Sequence, residues 1–212
     1  MNETTAALAS HRSKGTTRAA LLARGLAALG GLGAGGIWLA GRAGPAVSAP
    51  SPEQDERIFN FALGLEYVQA AFYEQAVEAG GLSGELLRYA RAVGEQERGH
   101  AEYLRDALGD AARDEPTFDF GDVVTDEQHF VESAFVMEEA GVGAYIGQAA
   151  NLTVPGVAAA APVISVEARH AAWIRAIRGE NPAPSAADTP RTAAQVQAAL
   201  EGAGFRLQGL ER

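Results

Sequence analysis

The 212-residue chain contains no cysteine, which excludes disulfides and thiolate metal ligands alike. The same absence leaves the redox compartment open, because a cysteine-free chain suits either side of a membrane. Positive charge is scarce: 17 Lys and Arg stand against 27 Asp and Glu, for a formal net charge of −10. That balance disfavours a nucleic-acid partner, which would draw on clustered Lys and Arg. Lysine is almost missing, Lys14 near the N-terminus being the single one. A carboxylate buried in the body of the chain therefore has no lysine to pair with. What remains, 47% hydrophobic with 25 glycines, suits one globular domain behind a leader.

The leader is residues 1–48. His11, Arg12, Lys14 and Arg18 precede an Ala, Leu and Gly-rich run from Ala19 to Ala40, broken only by Arg24, and the segment after it is small and turn-forming. This is the layout of an export signal, with Ala46 and Ser48 at the small-residue positions before a cleavage point. The alternative is an uncleaved anchor, since Gly25 to Gly41 is just long enough to span a thin bilayer. Either reading places the remainder outside the cytoplasm, and any membrane contact would run through this segment.

The body of the chain carries a repeated pattern. Two Glu-x-x-His tetrads, Glu97 to His100 and Glu167 to His170, lie about seventy residues apart, and a lone glutamate, Glu66 or Glu138, precedes each by roughly thirty. Residues three apart on an α-helix share a face, so each tetrad aims a carboxylate and an imidazole at one point. That face is the apolar one. Leu86, Ala90, Val93, Glu97, His100, Leu104 and Leu108 follow in steps of three and four, as do Ala160, Val163, Glu167, His170, Ile174 and Ile177. Glu66 shares its side with Phe59, Leu63, Ala70 and Tyr73; Glu138 shares its side with Ala134, Val142 and Tyr145. Glu139 neighbours Glu138, and a small helix rotation would exchange them.

Four buried carboxylates without partners would cost several kcal/mol per ion. Arg98, Arg169 and Arg175 lie off the apolar stripes and are poorly placed to help. Two divalent metal ions would neutralise the four charges and take the two neutral imidazoles as further ligands. The sequence thus reads as a dinuclear site of Glu66, Glu97, His100, Glu138, Glu167 and His170. His11 and His129 lack such company and are expected to be solvated, as are Glu74, Glu78, Glu95, Glu102 and Glu132. Tyr73 and Tyr145, one heptad beyond Glu66 and Glu138, are expected as core phenols with a bonded hydroxyl, or as redox-active neighbours of the site.

Caps and breakers divide the body into four long helices. Ser51 and Pro52 open the first, which Gly80 and Gly81 stop; Ser83 caps the second, which runs to about Leu108. Thr125 with Gln128 makes a capping box for the third, ending near Ala150, and the fourth runs from about Pro155 to Gly179, with Pro162 expected to kink it. Short turns make two antiparallel hairpins. The stretch from Gly109 to Thr125 can reach roughly 50 Å when extended, longer than a 25-residue helix at about 37 Å, and so can cross the bundle with Phe118 and Phe120 turned inward. Thr189 and Pro190 open a short helix to about Leu200, with Phe205 and Leu207 available to pack back.

The expected fold is all-α: a four-helix bundle of two hairpins joined by a long crossover over residues 49–180, then a C-terminal extension, 181–212, with a short helix. One glutamate from each of two helices and a Glu-x-x-His from each of the others is the arrangement of ferritin-like dimetal carboxylate proteins. More narrowly, the segments Phe61 to Tyr67 with Phe72-Tyr73, Glu97 to His100 with Tyr103 to Arg105, Glu138 to Tyr145 and Val166 to His170 resemble the ferritin-like domain of desiccation-related proteins and their exported bacterial relatives. The resemblance implies that Glu97 and Glu167 bridge two ions, Fe or else Mn, that Glu66 and Glu138 are terminal ligands, and that His100 and His170 each cap one ion. It brings no defined reaction, and three classes stay open: oxidation of metal or reduction of peroxide or dioxygen in stress protection, metal binding or storage without turnover, and a structural bundle held together by its metals.

Overall fold

In the computed structural model, residues 49–205 are described; the leader and Leu207 lie outside them. Every long element is helical. Helix α1 is Pro52–Ala79, α2 Gly84–Leu108, α3 Glu127–Gln148, α4 Val154–Ile177 and α5 Ala193–Gly202, with 3₁₀ turns at Gly109–Ala111, Gly121–Val124 and Ala149–Asn151. There is no strand among the described residues, and none of their helices is long and apolar enough to cross a membrane. The all-α bundle with a short C-terminal helix expected from the sequence is what the chain forms.

The helix ends follow from local chemistry. Ser51 accepts a hydrogen bond from the Gln54 amide, Pro52 sits where its missing N–H costs nothing, and Gly80 closes α1 at φ 73°, a left-handed conformation open to glycine. Three expectations are corrected here. Asp126, one residue after Thr125, is the cap of α3 and accepts from the His129 amide. Thr125 instead donates to the Asp122 carbonyl, and Gln128 to Glu132. The short C-terminal helix opens at Thr192, whose capping box with Gln195 supersedes Thr189 and Pro190. Ser83 occupies the cap position of α2 without capping: its amide and hydroxyl both reach Glu127 Oε1 at 2.8 Å, tying the first hairpin's turn to the start of α3. Helix α4 is continuous through Pro162, which is exposed along with Ala158, so the carbonyl that Pro162 cannot serve faces solvent.

The crossover runs the length of α1. Asn60 bonds Ala111 and the Arg113 amide, the Tyr67 hydroxyl donates to the Arg113 carbonyl, and Gln75 donates to the Phe118 carbonyl. Chain leaving α2 therefore returns alongside α1 to its far end before α3 begins. Phe118 and Phe120 pack inward as expected. Phe72 stacks on Phe130 with centroids 5.0 Å apart, and meets Phe120 and Phe205 edge-on, so one aromatic group joins α1, α3, the crossover and the C-terminal tail.

The apolar interior is in two parts. One gathers Val68, Phe72, Tyr73, Tyr89, Val93, Phe130, Met137 and Ile174; the other gathers Phe59, Leu63, Tyr67, Leu104, Tyr145, Ala160 and Val163. On α2 and α4 the buried Glu and His residues fall between the members of one part and those of the other. A polar layer thus divides the bundle core.

Candidate metal centre

Glu66, Glu97, His100, Glu138, Glu167 and His170 form that layer. All are buried, with relative exposures from 0% for Glu97, Glu138 and Glu167 to 8% for His100. Two overlapping groups result: Glu66, Glu97, His100 and Glu167, and Glu97, Glu138, Glu167 and His170. In each, one side-chain oxygen or nitrogen per residue lies within 4.8 Å of the others. Glu97 and Glu167, one from each tetrad, belong to both groups.

The imidazoles fix the geometry. His100 Nδ1 lies 3.0 Å from Glu97 Oε2, 3.0 Å from Glu167 Oε1 and 3.3 Å from Glu66 Oε2. His170 Nδ1 lies 2.8 Å from Glu97 Oε1 and 3.5 Å from Glu138 Oε2. Glu97 thus turns one oxygen toward each histidine. The rings are 5.9 Å apart, centroid to centroid.

Outside this ring, neutral groups hold the ligands in place. Tyr145 donates to Glu66 Oε1 at 2.5 Å, Tyr73 donates to Glu138 Oε1, and Gln69 reaches the same oxygen at 3.5 Å. His170 Nε2 donates to Gln96 Oε1 at 2.7 Å. That bond keeps a proton on Nε2 and turns Nδ1 toward the carboxylate oxygens, where a metal ion would take the place of its proton, as in metal sites where a second hydrogen bond orients the ligating imidazole. Gly141 makes room for Glu167, because a Cβ there would lie 2.8 Å from its Oε2.

Metal-free, this arrangement is electrostatically incomplete. Apart from the imidazole contacts just given, Glu66 Oε2, Glu97 Oε1, Glu138 Oε2, both oxygens of Glu167 and His170 Nδ1 are buried without a hydrogen-bond partner. Buried polar atoms are ordinarily satisfied, and these six converge on one space. Proton affinities register the strain. Burial, then the neighbouring charge of Glu66, pushes Glu167 up to about 7. Burial and the charge of Glu167 push Glu97 well above the usual carboxylate range. Burial alone would discharge His100, but Glu167, Glu66 and Glu97 outweigh it and push its pKa up to about 12. His170 is raised in the same way, burial opposing and Glu138 prevailing. The site draws in positive charge from whatever source is at hand, and a hard divalent cation with oxygen and imidazole ligands matches the donor set.

The remaining candidates are elsewhere. Glu139 turns away from the layer and pairs with Arg175 at 2.5 Å, which separates it from Glu138. Arg98 pairs with Glu74 and Glu115 at 2.8 Å, outside the site. Glu78, Glu95, Glu102 and Glu132 are exposed, as is His129 beside Asp126, and His11 falls outside the described residues. Gln69 and Gln96 were not foreseen as site residues. Gln69 had a readable signal, three positions after Glu66 on the same helix face, whereas Gln96 had none.

Residues 54–180, more than half of the chain, match a family described as a ferritin-like domain. No curated protein matches the chain.

Proposed function

The chain belongs to the ferritin-like domain family, and on that premise we propose that it binds two divalent metal ions, iron or manganese, in the buried carboxylate and imidazole layer. The observation that carries this reading is the pair of four-residue groups sharing Glu97 and Glu167, with unpartnered buried atoms converging between them. One ion is held by Glu66 and His100, the other by Glu138 and His170, and Glu97 and Glu167 serve both. Four carboxylates and two divalent ions balance in charge, whereas Arg98 and Arg175 pair with carboxylates outside the layer.

Such a pair of ions supplies one-electron and two-electron chemistry toward dioxygen or peroxide. The protein's part is to gather the carboxylates and imidazoles in a buried layer where a divalent ion displaces their protons, to orient His170 through Gln96, and to admit small molecules near His100, the least buried of the six. We assign to the chain oxidation of bound metal or reduction of peroxide or dioxygen, in protection against oxidative or drying stress. Residues 1–48 are proposed to carry the bundle out of the cytoplasm, as an export signal or a membrane anchor.

Elemental analysis of the purified protein, followed by mixing of its Fe(II)-loaded form with peroxide and with dioxygen under optical observation, tests this. About two Fe or Mn per chain with rapid oxidation is the expected result. Two metals without oxidation would leave a binding or structural role, and a chain that takes up no metal would refute the assignment.

A further inference from the structure

Beyond the ligands, one side of the layer continues as a chain of oxidisable side chains. Tyr73 donates its phenolic proton to Glu138, and its oxygen lies 3.1 Å from the hydroxyl of Tyr89. With the Tyr73 proton so committed, Tyr89 is the donor in that second bond. The ring of Tyr89 then meets the indole of Trp173 edge-on, centroids 5.3 Å apart at 89°. Trp173 is half-buried, and its Nε1–H donates to the surface residue Glu85 at 2.9 Å. Contact is unbroken from a carboxylate of the buried layer to solvent.

The opposite side is built differently. Tyr145 bonds Glu66 as Tyr73 bonds Glu138, yet among the described residues no second phenol or indole extends from it. Packing alone asks for rings of suitable shape; it does not ask for two phenol hydroxyls in series behind one carboxylate.

We propose that Tyr73, Tyr89 and Trp173 form a one-electron conduit between the buried layer and the surface, through which an external one-electron donor reduces the site. The oxidant is peroxide or dioxygen at the metals, so the physiological role rests on the metal-binding reading above; the conduit itself does not. Atoms and electrons balance at each step. When Tyr89 loses an electron toward the layer, its phenolic proton moves to the Tyr73 oxygen as the proton of Tyr73 moves to Glu138. An electron from Trp173 then refills Tyr89, and both protons return along the same bonds. The oxidised indole stays hydrogen-bonded to the Glu85 carboxylate, which balances its positive charge, until an external donor supplies one electron. No proton travels farther than one existing hydrogen bond.

The conduit is testable without metal, by running it from its outer end. The full chain with Trp38→Phe keeps Trp173 as its single indole. Azide radicals generated by pulse radiolysis oxidise that indole to its neutral radical. Tyr89 should then reduce it: one electron passes outward from Tyr89 to Trp173, the Tyr89 proton moves to the Tyr73 oxygen as that of Tyr73 moves to Glu138, and the indole nitrogen takes up one proton from water. The expected record is first-order replacement of the indolyl absorption by phenoxyl absorption, independent of protein concentration. Tyr89→Phe should slow this by an order of magnitude or more, and Tyr73→Phe, which removes the acceptor of the Tyr89 proton, should slow it as well. Tyr103→Phe, an exposed phenol off the path, should leave the rate unchanged. Absence of the first-order conversion in the parent chain would overturn the proposal whether or not the variants fold, and so would an equal rate in Tyr89→Phe. Because no metal is present, that failure is distinct from a failure of the metal-binding assignment.

Discussion

The phenol of Tyr145 donates to Glu66 Oε1 at 2.5 Å across 79 residues of sequence, and Tyr73 donates to Glu138 in the same way. Each tyrosine lies one heptad beyond the glutamate of its own helix and serves the glutamate of the other. This reciprocity follows from topology. The crossover runs alongside α1 and starts α3 at its far end, so the two helices are antiparallel, and in an antiparallel pair the two bonds are one contact seen from either end. The two halves of the layer are thereby held alike, Glu66 and Glu138 each having one oxygen bonded by a phenol and the other turned toward a histidine.

If the phenol holds Glu66 in place, Tyr145→Phe should destabilise the metal-free protein by about 1–3 kcal/mol, the usual cost of leaving a buried acceptor unpaired. Urea denaturation of parent and variant, both stripped of metal, measures it. A midpoint that does not move would mean the bond contributes nothing to holding the carboxylate.

Replacing both His100 and His170 with Ala should lower metal content and, with metal present, thermal stability together, because metal that binds only the folded chain stabilises it by mass action. The metal-free double variant should also be less stable than the metal-free parent, because these imidazoles carry the positive charge that answers the buried carboxylates; the metal-linked part is the further gain that only the parent shows on adding Mn(II). Elemental analysis and thermal melts with and without added Mn(II) separate the effects. Full occupancy in the double variant would remove these histidines from the ligand set.

Much of this architecture was legible because it is written in periodicity. Steps of three and four placed Glu97, His100, Glu167 and His170 on buried stripes, and the crossover is long enough to span the bundle. Local choices between adjacent residues of similar chemistry were not legible. Thr125 and Asp126 are both good caps, and the extended backbone at Asp126 decides between them. Glu138 and Glu139 differ by one helix step, and only the pairing of Glu139 with Arg175 separates them. Tyr89 reads as one more apolar position of α2, because a contact with a phenol sixteen residues earlier leaves no periodic trace.

Gly141 offers a test of how closely Glu167 is fitted. A methyl group there would stand 2.8 Å from Glu167 Oε2, and overpacking of this kind costs about 1–3 kcal/mol. Gly141→Ala should therefore weaken metal binding, while its stability reflects this cost less about 0.5–1 kcal/mol that alanine gains inside a helix. Gly99, beside His100 but facing open space, is the control: Gly99→Ala should stabilise α2 by about 0.5–1 kcal/mol and leave metal affinity unchanged. Calorimetric titration with Mn(II) distinguishes the two variants, and equal affinities would show that Glu167 has room to move.

The raised proton affinity of Glu167 fixes a pH dependence with a definite sign. Its pKa is about 7 in the metal-free fold against 4.5 ordinarily, so the folded state holds this proton more tightly than the unfolded chain does. The associated stability is present below about pH 4.5 and is lost as pH rises through about 7, up to about 3 kcal/mol in all. Glu97 acts in the same direction. Surface carboxylates also titrate near the lower end of this window, so the quantity to follow is the difference between parent and Glu167→Gln, whose amide has no proton to lose. That difference should move against the metal-free parent as pH rises from about 4.5 to about 7. With saturating Mn(II) the trend should reverse, because the metal competes with the proton for the same oxygens and wins more easily as pH rises. Parallel curves for parent and variant without metal would place the ionisation of Glu167 below the window, and its neighbours would then have to carry the positive charge that the layer requires.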